Sequence, residues 1–267
     1  MACRRDCVRI ACARLACWLL LATWAGAWPA QASASYSQAA ALQAKYAALA
    51  DRLRDNPFRR ALYLESSESA ASTHDLKGDI YALVDYPFTT VSSALDGPDN
   101  WCDVLILHIN TKYCHAATAA TNARLTVSLG RKYPQSIDEA YPVEFAYRTE
   151  AAAPDYLDIR LTAGKGPLGT SNYRIQLQAV PVAGGRTFLH LTYSCAYGLV
   201  GQLAMKTYLA TLASAKVGFT VVGRQADGQP EYIGGLRGVV ERNTMRYYLA
   251  IDAYLAALAA PPALRLD

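Results

Sequence analysis

Between residues 124 and 195 the chain alternates apolar and polar side chains in five successive runs. Leu125, Val127 and Leu129 fall on one side of a predicted strand, with Arg124, Thr126 and Ser128 on the other. Val143, Phe145 and Tyr147 alternate with Glu144 and Arg148, and Leu157, Ile159 and Leu161 with Asp158 and Arg160. Tyr173, Ile175, Leu177 and Ala179 alternate with Arg174, Gln176 and Gln178. Leu189, Leu191, Tyr193 and Cys195 alternate with His190, Thr192 and Ser194. A period of two is the mark of an extended strand. The links are short and carry turn residues such as Gly184 and Gly185. A parallel crossover needs roughly a dozen residues, so neighbouring strands are predicted to be antiparallel, in a meander of about six. One apolar and one polar face predicts a sheet covered on one side only.

Other segments change period. Leu42, Tyr46, Leu49 and Leu53 lie four, three and four apart, a helical stripe over residues 37–54 that ends at Asn56-Pro57. Residues 61–65 predict a short strand, and 66–76, rich in Ser, Ala and Thr, an exposed loop. Asp79–Asp85 is strand-like. Two short helices follow, one from Pro87 to about Leu95 and one from Asn100 to about His108, the second capped by Asp99. A longer helix is predicted over Leu199–Ala215, where Met205, Tyr208, Leu209 and Leu212 form the stripe. Residues 217–234 read as a hairpin turning at Asp227-Gly228. The last helix runs from about Val239 to Leu258, with Val240, Thr244, Tyr247, Ile251, Tyr254 and Leu258 on one face and Pro261-Pro262 beyond it.

The first residues have a different character. Arg4, Arg5, Arg9 and Arg14 precede an apolar run from Leu15 to Trp28, and Ala30-Gln31-Ala32 and Ala32-Ser33-Ala34 follow. This is the plan of a cleavable secretory signal peptide over residues 1–34, and it predicts a periplasmic or secreted protein cut near Ala32 or Ala34. The run is shorter than the roughly 20 apolar residues that span a bilayer. The formal charge of +4 comes mostly from this segment. Beyond it stand 22 basic and 21 acidic residues, with no basic run to follow a phosphate backbone, which argues against nucleic acid as a partner.

The order of elements is a strand, two short helices, an antiparallel meander and a C-terminal helix. Over roughly residues 77–216 it resembles the START-like helix-grip superfamily, also called SRPBCC. The Asp79–Asp85 strand, the helix pair with Trp101, and the meander running into Leu199–Ala215 carry the resemblance. It implies an α+β fold in which an antiparallel sheet wraps a C-terminal helix around an apolar cavity. Here an N-terminal helix (35–60) precedes a single domain (61–260) that carries an added C-terminal hairpin and helix. Lipid carriers, plant allergen-like ligand carriers and polyketide cyclases share that fold.

Motifs for chemistry are sparse. Gly164–Gly169 has dinucleotide-loop spacing, but it lies between two antiparallel strand patterns and reads as a hairpin link. His190 and Cys195 are five apart on one strand, hence on opposite faces. His108, Cys114 and His115 do not form a metal motif, and neither a metal nor an organic cofactor is expected. His108 reads as a helix-end residue and His115 as a strand or loop residue. No G-x-S-x-G elbow occurs. Glu241, Arg242 and Asp252 read as solvated charges, and Arg242 with Arg246 as a surface pair. Tyr147, Tyr173, Tyr193, Tyr208 and Tyr247 fall on predicted inner faces, and a tyrosine joins a large apolar body to one polar end. They are the candidate ligand-binding residues, against the plainer reading of an ordinary core. Three functions stay open: a carrier of an apolar small molecule or lipid; an enzyme of the polyketide-cyclase or hydrolase kind, with His108, His190 and Tyr193 the first residues to mutate; and an envelope interaction module without a cavity.

Seven cysteines become three beyond residue 34: Cys102, Cys114 and Cys195. If 102–114 were one strand, its ends would lie about 40 Å apart at roughly 3.3 Å per residue. A helix to about residue 108 advances only some 10 Å at about 1.5 Å per residue, and a turn near Asn110 brings the chain back. Cys102 and Cys114 are therefore expected to form a disulfide, with Cys195 left as a thiol.

Overall fold

A computed structural model describes residues 30–69, 74–119, 122–198 and 216–261. Residues 1–34 form one unit, of which the start of the first helix is described; Ser35–Asp267 form the second. The helix predicted over Leu199–Ala215, with Tyr208, lies outside the described residues.

The second unit is built on one antiparallel sheet of eight strands, the predicted six-stranded meander joined by the two strands expected before the helix pair. The strands are β1 (Leu62–Ser69), β2 (His74–Val84), β3 (Thr111–Ala119), β4 (Asn122–Leu129), β5 (Tyr141–Ala153), β6 (Tyr156–Lys165), β7 (Thr170–Val182) and β8 (Arg186–Tyr197). Their order is β1-β2-β8-β7-β6-β5-β4-β3. The chain leaves β2, crosses through α3 (Phe88–Leu95) and α4 (Pro98–Ile106), and enters the far edge at β3. It then returns strand by strand until β8 pairs with β2. Of the stretch 66–76, expected as a loop, the described residues 66–69 and 74–76 are sheet. The ladder of β1 on β2 runs from Leu62↔Ala82 to Ser69↔Asp75. The outer half of β1 is Ser66, Ser67, Glu68 and Ser69, so the apolar alternation that reveals a strand is missing there. Ala and Thr hide β3 in the same way.

The inner face carries Leu76, Ile80, Ala82, Leu157, Ile159, Leu161, Ile175, Leu177, Leu189 and Leu191, all buried in one core. Against it lies α5 (Gly235–Ala259), packed on β2, β1 and β8. Val240, Thr244, Tyr247 and Ile251 are the buried stripe of α5, while Leu258, expected on it, is exposed. Among the described residues, the helix resting on the sheet is this last one. A small hairpin, β9 (Val221–Arg224) and β10 (Pro230–Tyr232), precedes α5 and turns at Asp227-Gly228 as expected.

The outer face is not left open, contrary to the one-sided expectation. Leu42 of α1 (Ala30–Ala48), Leu49, and Leu53 of α2 (Ala50–Arg54) pack on Tyr81, Tyr156, Val180 and Phe188. Those four large residues interrupt the polar side of β2, β6, β7 and β8 and supply the second core. Each buried Leu contributes about 1.5–3 kcal/mol to holding the N-terminal helices on the sheet.

α4 begins with Gly97 at the cap and Pro98 in the first turn. Asp99, expected as the cap, lies inside the first turn instead. Pro fits there because the first helical N–H has no partner to lose. After Ile106 the chain turns at 107–110 into β3, and Cys102 and Cys114 form a disulfide with their Cα atoms 5.3 Å apart. Cys195 is a buried free thiol.

Candidate functional site

Three of the five candidate tyrosines meet between the sheet and α5. The Tyr173 ring of β7 lies 6.3 Å from Tyr193 of β8, and Tyr193 lies 5.2 Å from Tyr247 of α5. His108, in the turn after α4, continues the column by stacking on Tyr247 at 4.5 Å. Phe145 of β5 closes the other end, edge-on to Tyr173 at 6.4 Å. Strand alternation sets this up, because Tyr173 and Tyr193 hold inward positions of neighbouring strands. Tyr147 is also buried but stands apart. Its hydroxyl accepts from the Gly97 backbone N–H at 2.8 Å and lies 3.2 Å from Thr149 Oγ1, fastening β5 to the α3–α4 corner. Gly97 has φ +124°, a conformation that only glycine adopts without strain.

The column is polar but uncharged. Burial raises the phenols of Tyr193 and Tyr247 well above their ordinary value and pushes Tyr173 up to about 12. Burial likewise pushes the nearby Cys195 thiol up to about 11. The Tyr173 hydroxyl is already engaged: Thr170 Oγ1 donates its single proton to Pro167 O, so Tyr173 donates to Thr170, at 2.5 Å. Burial and the nearby Arg246 charge lower His108 to about 4, so the imidazole is neutral at neutral pH. An open recess of 640 Å³ lies at one end of β2, β6, β7 and β8. Tyr173, Cys195 and Leu76 line it together with the exposed Lys77, Asn172 and Arg174.

His190 is not part of this column. It lies on the outer face, stacked on Tyr81 at 4.2 Å, so the sheet separates it from His108 and from Cys195. Its Nε2 lies 2.8 Å from Asp79 Oδ1 and its Nδ1 lies 3.0 Å from Gln178 Oε1. Gln178 Nε2 donates to Tyr156 Oη at 2.6 Å, and Tyr156 donates to Gln38 of α1 at 3.0 Å. Thr192 Oγ1 and Lys77 also donate to Asp79, at 2.7 and 2.9 Å. Burial would raise the Asp79 carboxyl, but the bonds from His190, Thr192 and Lys77 outweigh it and hold it below its ordinary value. Asp158, bound by both Gln176 and Gln178, is raised because burial prevails there. Both ring nitrogens of His190 are thus engaged by side chains of the outer face. This network pins α1 to the sheet.

Glu241, expected to be solvated, is fully buried instead. Its carboxylate accepts from Ser66 Oγ at 2.6 Å, Phe219 N–H at 2.6 Å, Thr220 N–H at 3.0 Å and Thr220 Oγ1 at 2.6 Å. It ties α5 to β1 and to the β9–β10 hairpin. Asp252, also expected in solvent, pairs with Arg60. Arg242 donates to the Val217 carbonyl at 2.7 Å, and Arg246 to Asn243 at 2.9 Å. A charge on a helix gives no sign in sequence of a partner more than twenty residues away. His115 is an exposed residue of β3. Gly164–Gly169 links the antiparallel pair β6 and β7, as its setting predicted.

No protein-family model matches the sequence, and no curated protein does. Several solved structures are similar. One is a Thermus thermophilus protein, at 8% identity and TM-score 0.43, covering 69% of this chain and 99% of that one. Another is human StAR-related lipid transfer protein 5, at 9% identity and TM-score 0.41, covering 85% and 99%. A third is the Zhui aromatase/cyclase of a Streptomyces species, at 11% identity and TM-score 0.36, covering 76% and 100%. The chain's own topology is an antiparallel sheet entered through two short helices, with a long C-terminal helix packed against it, the order of elements that the sequence resemblance implies.

Proposed function

We propose that this is an exported carrier that holds an apolar small molecule or lipid between its sheet and α5. The observation that carries the reading is the uncharged aromatic column of Tyr173, Tyr193, Tyr247 and His108 between those two layers. Its rings offer wide apolar surface with a few neutral polar ends, the composition of a site for an uncharged, mostly apolar ligand. Tyr147 lies apart from the column and acts as a fold contact rather than a ligand contact. Catalysis by a histidine pair is disfavoured, because the sheet divides His108 from His190. Export rests on the signal-peptide pattern of residues 1–34.

Native mass spectrometry of protein recovered from its producing cells tests the carrier reading. The expected result is a fraction of the protein carrying extra mass, released by organic extraction as a neutral apolar compound. Protein that always comes out at its bare mass overturns the reading. N-terminal sequencing of the same sample tests export: the expected first residue is Ser33 or Ser35, and an intact Met1 contradicts it.

A further inference from the structure

The turn that carries His108 inverts the usual rule of burial. Ile106, Leu107 and Ile109 are 46%, 50% and 46% exposed, while His108 among them is 5% exposed. Apolar side chains ordinarily go inside and imidazoles stay at the surface, and local conflicts of this kind concentrate at functional sites. The backbone holds the inversion firmly. His108 N–H donates to Leu105 O, Thr111 N–H donates to His108 O, and the Cys102–Cys114 disulfide closes the turn.

The ring itself is half satisfied. Nδ1 accepts the Asn110 backbone N–H at 3.3 Å, which leaves the proton of the neutral ring on Nε2. Nε2 is buried and has no hydrogen-bond partner among the described residues. A buried donor without an acceptor is uncommon in folded proteins, and each instance asks for a partner. Here it lies at the end of the aromatic column, with the ring against Tyr247.

We propose that the His108 Nε2–H donates to one acceptor oxygen, of the ketone, ester or hydroxyl type, on the ligand held between sheet and α5. This rests on the carrier reading and adds a chemical demand to it: a mostly apolar ligand with a neutral oxygen placed to meet His108. The ring is neutral, so it selects for an acceptor atom and not for a negative charge.

The test compares two probes of nearly equal shape, 2-acetonaphthone and 2-ethylnaphthalene, by titration into the mature protein and its His108→Phe variant. One neutral hydrogen bond corresponds to a preference of about tenfold for the ketone in the wild-type protein. His108→Phe keeps the stack on Tyr247 and is expected to bind both probes alike. Equal affinity in the wild-type protein, or a ketone preference that survives in His108→Phe, overturns the assignment while leaving the carrier reading in place. Failure of the wild-type protein to bind either probe overturns the carrier reading and the assignment with it. In wild-type protein labelled with 15N-histidine, the ketone is expected to shift the His108 Nε2–H resonance downfield and the hydrocarbon to leave it. An unmoved resonance with bound ketone overturns the assignment whether or not the variant folds.

Discussion

Gly78 on β2 and Thr244 on α5 mark the place where sheet and helix meet with no room for a side chain. A Cβ on Gly78 would lie 2.2 Å from Thr244 Oγ1 and 3.2 Å from Thr244 Cβ. Thr244 cannot swing aside freely, because it is buried and its hydroxyl donates to Val240 O at 2.8 Å. One helical turn on, Tyr247 begins the aromatic column. Contact at Gly78 therefore fixes the height of α5 over the sheet beside the candidate ligand site.

Gly78→Ala is expected to destabilise the protein by about 1–3 kcal/mol, the usual cost of overpacking. Adding Thr244→Ala removes the nearer atom and is expected to restore part of that loss. Urea unfolding of the two variants measures it. Full additivity of the two substitutions would mean that the residues do not touch.

Acid should weaken the fold through His108. Its folded-state value is about 4 against an ordinary 6.5, so between these pH values the unfolded chain takes up a proton that the folded chain refuses. Stability is then complete above about pH 6.5, falls as pH drops through the window, and levels off below about 4. The full effect is about 3 kcal/mol at about 1.4 kcal/mol per unit. Asp79, held below its ordinary value, loses its contribution at still lower pH. The difference in unfolding free energy between wild type and His108→Phe, followed from pH 7 to pH 4, isolates the histidine. A pH-independent difference contradicts the burial of a neutral ring.

Glu241→Gln replaces an acceptor-only carboxylate with a side chain that must turn an NH2 toward a ring of donors. The expected loss is about 3 kcal/mol or more, from the weakened charged hydrogen bonds and the donor left facing donors. Amide hydrogen exchange should rise first at Phe219 and Thr220, whose N–H groups the carboxylate holds. Unchanged protection at these two amides contradicts the clamp.

Cys195 should resist alkylation by iodoacetamide at pH 8 in the folded protein, since burial holds its thiol near 11. In denaturant without reductant it should react fully while Cys102 and Cys114 stay linked. Peptide mapping reads both results, and a labelled Cys102 in unreduced protein contradicts the pairing.

The sheet is legible in the sequence wherever a strand has one apolar side. The β4 to β8 runs, the helix pair, the closing hairpin and the disulfide all follow from period, turn residues and chain reach. The outer half of β1 and most of β3 are not, because a strand that is polar or alanine-rich on both sides shows no period. The covered outer face escapes notice because Tyr81, Tyr156 and Phe188 each look like isolated exceptions until α1 is laid over them. Tyr173, Tyr193 and Tyr247 are legible as inward positions, but their meeting with His108 depends on contacts across the fold. Glu241 shows the limit most plainly: nothing within a helix turn of it reveals that Ser66, Phe219 and Thr220 converge on its carboxylate.

The proposed function places a ligand between sheet and α5. Crystals grown from protein purified in its natural compartment, without detergent or lipid removal, test it most directly. The expected result is electron density for an apolar molecule in contact with Tyr173, Tyr193 and Tyr247, with an oxygen within hydrogen-bonding distance of His108 Nε2. Side chains alone filling that space, or a ligand found only on the outer face beside His190, would contradict it.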